Sequence, residues 1–379
     1  MNSQAVTLLK SELNKTGGLE KYTWQIAKAF CQRLCPVTLL TTGRVTPPFS
    51  DPYLQVHSFP IDYPLSYLNV ARFNSSCQAF LKQNPTPLVF GLDRNSFQTH
   101  IRAGNGVHAA FLNHRRGTEG AFKSLTFSCN PLHRLLLQIE KTSFEDPDLH
   151  KLFTNSHLVK QEILQHYDTD PQKIQVIHNG VEWTQMQSPF DAWEEERLGM
   201  IHSLGLDPHS YQILFIGHNF RRKGLEPLLQ GLSLLKDTSI QLSVIGKDKN
   251  SAYFQQKVQQ LNLTKQVHFL GARTDIYRFY QMADSLAIPS AYDPFANVTV
   301  EALAMGLFVL SSKTNGGHEV LQPFSGATLN DLDPSSIAQG LQTALNFPKT
   351  PLSAQLIRSS VEYLDFPNQL NEITSACLN

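Results

Sequence analysis

The chain is poor in the features that would tie it to a specialised setting. Only five of its 379 residues are cysteines: Cys31, Cys35, Cys77, Cys129 and Cys377. The number is odd and none forms a Cys-x-x-Cys pair, which argues against a disulfide framework or a cysteine metal site and for a reducing compartment. No apolar run approaches the roughly 18 residues of a membrane span, and no signal peptide opens the chain, so a cytoplasmic protein is expected. Neither charge dominates: 32 Lys and Arg stand against 32 Asp and Glu. That balance gives no global pull toward nucleic acid, which is not expected as a partner. The dinucleotide fingerprint Gly-x-Gly-x-x-Gly and the P-loop pattern are both missing. What is left is ordinary globular composition, 41% hydrophobic and 17% charged, at a length comfortable for two domains.

The most informative stretch runs from Pro289 to Glu319 and begins after an apolar run. Ser285-Leu286-Ala287-Ile288 reads as a short buried strand closed by Pro289, and a loop carrying Asp293 follows. A helix is expected from Asn297 to a stop at Gly306, then a strand at Phe308-Val309-Leu310 and a tight turn at Asn315-Gly316-Gly317. Asp293 and Glu301 fall eight positions apart, one in the loop and one about a turn into the helix. Between them lie the amides of a helix N-terminus, where unsatisfied N–H groups and the helix dipole favour an anion. A carboxylate inside the helix can accept two hydroxyl donors from a ribose, while the amides hold a diphosphate and the loop acid faces a sugar.

The first half opens with a strand at Ala5–Leu9, the loop Asn14–Glu20 with Gly17 and Gly18, a helix through Tyr22, Ile26 and Phe30, and a strand at Val37–Thr41. Gly17-Gly18 either admits a phosphate close to the backbone or simply turns the chain. Thr46–Pro64 reads as a proline-rich loop, Leu88–Gly91 as a strand, and His108 stands just beyond the glycine-bearing turn Gly104-Asn105-Gly106. Residues 113–144 mix His114, Arg115, Arg116, Lys123, Arg134 and Lys141 with Phe122, Leu125, Phe127 and Leu135–Leu137. This is either an amphipathic helical pair closing the first domain or a surface that touches anionic lipid. Leu152–Ser156 reads as a strand running into a capped helix, Ile174–Ile177 as another strand, and the acidic, irregular Trp183–Arg197 as the domain boundary.

The second half repeats strand and helix. Gln212–Gly217 leads to the loop His218-Asn219-Phe220-Arg221-Arg222-Lys223-Gly224 and a helix through Leu228, Leu229 and Leu232, and further strands follow at Gln241–Gly246 and Val267–Gly271. Strands separated by helical stretches argue for parallel βαβ units, whose ligands bind beyond the strands' carboxyl ends. Arg222, Lys223, Asp293 and Glu301 all lie beyond such ends. The tail from Leu356 reads as helical with an interruption at Pro367.

Together these motifs resemble the retaining glycosyltransferases of the GT-B fold, family 4 type, whose signature is two acids with seven residues between them. Here Asp293 stands for the usual first Glu, and Phe308 where proline is common. FRRKG and YDPFANVTVEA are most similar to enzymes that add glucose or a related hexose to the lipopolysaccharide core. The resemblance implies two Rossmann-like parallel-sheet domains facing a cleft: 1–188, completed by a C-terminal helix at about 356–379, and a donor-binding domain at 189–355. Arg222 and Lys223 would then neutralise the diphosphate and Glu301 hold the ribose. Asp293 and the backbone at Phe295, Ala296, Asn297 and Val298 would face the donor sugar and phosphates. Gly17 and Gly18 would complete the phosphate side, and His108 would contact the donor sugar. The implied partners are a nucleotide-sugar donor, UDP-linked, and a saccharide or glycolipid acceptor, with no cofactor or metal required. Peripheral contact with the anionic cytoplasmic face of a membrane through residues 113–144 is the further expectation. A nucleotide-sugar epimerase of the same fold and a non-catalytic carbohydrate-binding protein are the alternatives.

Overall fold

The structure is a computed structural model that describes residues 4–13, 18–119, 127–235 and 239–378. It divides into two compact units, residues 1–177 with 369–379, and residues 178–368.

The first unit runs β1 (Val6–Leu9), α1 (Gly18–Gln32), β2 (Val37–Thr42), β3 (Leu54–Phe59), α2 (Ser66–Gln83), β4 (Leu88–Gly91), β5 (His100–Arg102), α3 (His108–Glu119), α4 (Pro131–Phe144), β6 (Lys151–Thr154), α5 (His157–His166) and β7 (Ile174–Val176). Its seven strands form one sheet in the order β3-β2-β1-β4-β5-β6-β7, and every pairing is parallel. VTLL of β1 and LVFG of β4 are buried throughout, as central strands covered on both faces must be. Polar side chains fix the helix starts. Asn130 accepts from the amides of Leu132 and His133 ahead of α4, and Ser156 accepts from Val159 ahead of α5. The chain's last residues join this unit, where Arg33 Nη2 donates to Asn371 Oδ1 at 2.5 Å and Ser375 Oγ at 2.7 Å.

The second unit runs α6 (Gln187–Asp191), α7 (Trp193–Ser203), β8 (Tyr211–Ile216), α8 (Leu225–Leu234), β9 (Ile240–Ile245), α9 (Ser251–Gln260), β10 (Val267–Gly271), α10 (Ile276–Met282), β11 (Ser285–Ile288), α11 (Asn297–Ala304), β12 (Phe308–Ser312), a 3-10 turn (Gly316–Val320), β13 (Gly326–Leu329), α12 (Pro334–Leu345) and α13 (Pro351–Ser359). α14 (Phe366–Leu378) follows. The six strands are parallel in the order β10-β9-β8-β11-β12-β13. Alternate residues of β8 enter opposite cores. Ile213 and Phe215 pack with Leu228, Leu229 and Ile337, whereas Leu214 and Ile216 pack with Val300, Leu303 and Met282. Strand order reverses between β8 and β11, so the loops leaving those two strands open a crevice at the sheet's switch point, the usual ligand position in such sheets.

Three expectations about elements are corrected. The stretch read as a loop at Thr46–Pro64 contains β3, an edge strand pairing Val37–Thr42 with Leu54–Phe59; its half-exposed alternation let the neighbouring prolines dominate. Trp183–Arg197 is not irregular but largely helical, because Phe190 and Trp193 are buried in the core. Pro367 does not interrupt the tail. It sits in the first turn of α14, where a missing N–H costs nothing, and the break falls at Ser360–Asp365. Among the described residues no helix is long and apolar enough to cross a membrane.

Candidate functional site

The loop after β8 is shaped by its backbone before its charges. Asn219 takes a left-handed φ of 57° and its side chain accepts from the Arg222 amide at 3.2 Å. Phe220 anchors the loop, fully buried against Phe215 and Phe254 with ring centroids 5.9 and 5.5 Å away. Gly224, at φ 81°, lies so close to the neighbouring loop that a Cβ there would stand 1.8 Å from the Pro289 carbonyl oxygen. Ala291 N donates to Arg222 O at 2.8 Å, joining the loops after β8 and β11 through backbone.

On this frame Asp293 meets both basic side chains. Lys223 Nζ donates to Asp293 Oδ2 at 2.7 Å, and Arg222 Nη1 reaches the same oxygen at 2.9 Å. Arg222 Nη1 also donates to Tyr292 O at 2.9 Å. Lys223 is nearly buried while the Arg222 side chain is 35% exposed. Two cations share one carboxylate, so the trio carries one positive charge in excess in partly desolvated surroundings, where an anion is attracted strongly.

Asn315 fixes the turn between Asp293 and α11. Wholly buried, it accepts from the amides of Ala296 (2.9 Å) and Gly317 (3.1 Å) and donates to Ser311 Oγ (2.9 Å) and Thr299 Oγ1 (3.3 Å). Asp293 is tied beside it, its amide donating to Thr314 O and its carbonyl accepting from Gly316 N. Ala296 is the N-cap of α11 and has no side-chain cap, a helix start that favours an anion. Phe295 is buried and faces the His178 ring at 5.9 Å; Asn297 is exposed and its Oδ1 accepts from Asn179 Nδ2 at 2.7 Å; Val298 is half-buried. Glu301, half-buried one turn on, accepts from the Tyr280 hydroxyl at 2.8 Å. His178 Nε2 lies 3.0 Å from Glu319 Oε2.

In the first unit, Gly17 lies outside the described residues and Gly18 is the first residue of α1. His108 begins α3 with its side chain buried and Nε2 at 3.1 Å from His133 Nδ1. Burial, with the Arg94 charge behind it, pushes its pKa down to about 4, so it is a neutral imidazole at ordinary pH. Its amide donates to Glu140 at 2.8 and 3.0 Å, and the same buried carboxylate accepts from Arg94 Nε and the Tyr167 hydroxyl, both at 2.7 Å.

Several positions escaped the sequence reading. Tyr280 carries no motif, and Asn315 reads only as the first residue of a tight turn, which leaves its buried hydrogen bonds unforeseen. Lys10 and Asp93, paired at 3.0 Å where the first sheet's strand order reverses, belong to no motif either. The metal-free expectation also passes over three Asp-x-Asp pairs that the chain does contain. In each an aspartate serves a turn or cap: Asp146 accepts from the Asp148 amide, Asp170 from Gln172, and Asp333 from Ser335 and Ser336.

Comparison with known proteins agrees with this architecture. A family model described as glycosyl transferases group 1 matches residues 200–360, and one described as glycosyltransferase family 4 matches residues 16–184. An uncharacterised glycosyltransferase of Methanocaldococcus jannaschii is 30% identical over 204 residues, 52% of this chain and 51% of that protein. The lipopolysaccharide glucosyltransferase WaaG of Escherichia coli K12 is 23% identical over 282 residues, 71% of this chain and 73% of WaaG. The chain spans about half the length of several curated relatives it matches. A crystal structure of WaaG superposes with a TM-score of 0.75 over 98% of both chains at 20% identity. Anabaena Alr3699/HepE in complex with UDP-glucose superposes with a TM-score of 0.66 at 17% identity, over 98% of this chain and 99% of that one. With two parallel-sheet units and the two family models between them covering most of its length, the chain belongs to the group 1 glycosyltransferases of GT-B architecture.

Proposed function

We propose that this protein is a retaining glycosyltransferase that moves a hexose, glucose, from a UDP-linked donor to a saccharide or glycolipid acceptor such as a lipopolysaccharide core. The observation that carries the reading is the meeting of Arg222, Lys223 and Asp293 beside the uncapped start of α11, with Glu301 one turn inside that helix. The similarity to a lipopolysaccharide glucosyltransferase supports the acceptor class, and the likeness to a fold bound to UDP-glucose supports the donor.

Breaking the anomeric C–O bond places positive charge on the sugar and negative charge on the departing diphosphate. Lys223, Arg222 and the amides at Asn297 and Val298 stabilise that anion, and they are already oriented before it forms. Asp293 holds the two cations until the diphosphate draws them over, and then faces the sugar. Glu301 accepts the ribose hydroxyls. The acceptor attacks from the leaving-group side, its proton passing to the departing phosphate, which keeps the anomeric configuration. The reaction as drawn needs no metal.

A panel of UDP-, GDP- and ADP-sugars, each tested with and without a truncated lipopolysaccharide core acceptor, decides it. The expected result is glycosylated product from UDP-glucose, with the donor's anomeric configuration by NMR. Donor conversion at a rate indifferent to acceptor would make the protein an epimerase, and binding without turnover a carbohydrate-binding protein.

A further inference from the structure

Tyr280 belongs to no motif, yet it touches the one carboxylate assigned to the nucleoside. It lies in α10, fully buried, so no ligand can reach it. Its hydroxyl donates to Glu301 Oε2 at 2.8 Å. The tyrosine is clamped from behind as well. Its carbonyl accepts from Lys349 Nζ at 3.0 Å, and Lys349, itself buried, lies 4.5 Å over the Trp193 ring. The Lys349 amide donates to Asp284 Oδ1 at 3.1 Å, and Arg197 Nη2 binds Asp284 Oδ2 at 2.8 Å. The hydroxyl therefore sits on a fixed scaffold and aims at one oxygen of a half-buried carboxylate.

From this geometry we infer that Tyr280 is a positioning residue for ribose recognition, holding the Glu301 carboxylate in the one orientation from which it accepts the sugar's hydroxyls. The inference rests on the reading of Glu301 as the ribose acceptor. An ionised carboxylate is acceptor-only, and a neutral phenol supplies it with a donor whose place does not change when the ligand arrives. Burial, followed by the Glu301 charge and hydrogen bond, pushes the Tyr280 pKa well above its usual value, so the donor proton is retained across the working pH range. Without the hydroxyl, Glu301 loses the donor that fixes its Oε2, and the two ribose hydrogen bonds become harder to form together.

The measurement is the ratio of affinities for UDP and 2′,3′-dideoxy-UDP, by calorimetry on the full chain. This ratio isolates the ribose hydroxyls and is insensitive to a general loosening of the fold, which would weaken both ligands alike. Tyr280→Phe is expected to lower the ratio roughly threefold to tenfold, the scale of one net hydrogen bond, and Glu301→Gln to lower it further. Tyr280→3-fluorotyrosine keeps the ring and its hydroxyl, adding one small fluorine, and is expected to hold the ratio within about twofold of wild type. It also serves as the second variant should Tyr280→Phe fold poorly: a fluorotyrosine protein whose ratio departs from wild type by more than that overturns the proposal. If Glu301→Gln lowers the ratio and Tyr280→Phe does not, the positioning role is wrong while the ribose reading stands. An unchanged ratio in Glu301→Gln removes the ribose reading, and the role of Tyr280 with it. Should wild type bind GDP or ADP rather than UDP, the same ratio is taken with that nucleotide and its dideoxy analogue.

Discussion

Lys223 and Arg222 differ in what surrounds them, and that difference sets their expected roles. Lys223 is nearly buried, its stem lying over Gly217 with carbons 3.1–3.4 Å from where a Cβ would stand, and its ammonium is fixed on Asp293. Arg222 is a third exposed and also holds the Tyr292 carbonyl. A preorganised, desolvated charge aimed at a leaving group acts mainly in the transition state. Lys223→Ala is therefore expected to lower kcat by roughly 10²–10³-fold while changing the donor Kd much less. Steady-state kinetics with independent binding measurements separates the two, and near-normal transfer would defeat the mechanism. The contact between Lys223 and Asp293 was legible in outline, because each residue lies in the loop that follows a β-strand and the topology brings those strand ends together. Tyr280 and Asn315 were not. A tyrosine in a seven-residue apolar helix looks like any core tyrosine, and an asparagine before two glycines looks like a turn, although its four hydrogen bonds tie three segments together.

Elements rather than single contacts hold the loops after β8 and β11 against each other, and Gly224 marks where they come closest. It combines a left-handed φ with a carbonyl 1.8 Å from any added Cβ, so an alanine there cannot be relieved by rotating a side chain. Gly205 has nearly the same backbone, φ 67°, but nothing within 4 Å of its Cβ position. Gly205→Ala should then cost only the left-handed penalty of about 1–2 kcal/mol, and Gly224→Ala at least that plus a steric term, on the order of 3–4 kcal/mol together. Chemical denaturation of the two variants measures the difference, and equal losses would show that the two loops are not mechanically joined. Nucleotide affinity should fall only in Gly224→Ala. The β8 to β12 elements were readable because their strands are short apolar runs bounded by glycine or proline. β3 and the pair α6–α7 were obscured by composition: prolines surround β3, and three consecutive glutamates open α7, whose burial rests on Trp193, Met200 and Ile201.

At the scale of the whole molecule, zero formal net charge means that attraction to an anionic surface has to come from a local excess of basic residues. Residues 113–144 offer one. Arg116 and Arg134 are exposed on α3 and α4, and Leu135, Leu136 and Leu137 are only half-buried between them; Lys123 lies outside the described residues. Part of the positive charge has a structural use instead. The Arg115 guanidinium lies 4.4 Å over Phe127 and 5.6 Å from Phe111, and Lys141 pairs with Glu145 at 2.7 Å. We propose that the exposed remainder holds the protein at an anionic membrane, where a glycolipid acceptor would be met. Each basic residue near such a surface contributes about 1 kcal/mol, screened within a Debye length. Replacing Arg116, Lys123 and Arg134 together by Gln should then weaken binding to phosphatidylglycerol vesicles by roughly 100-fold at low salt, with an unchanged melting temperature. Raising salt should release the wild type from the same vesicles, and purely zwitterionic vesicles should bind neither protein. Equal binding to charged and neutral vesicles would assign the attraction to the apolar residues alone, and no binding to either would leave α3 and α4 as a packing pair that closes the first unit.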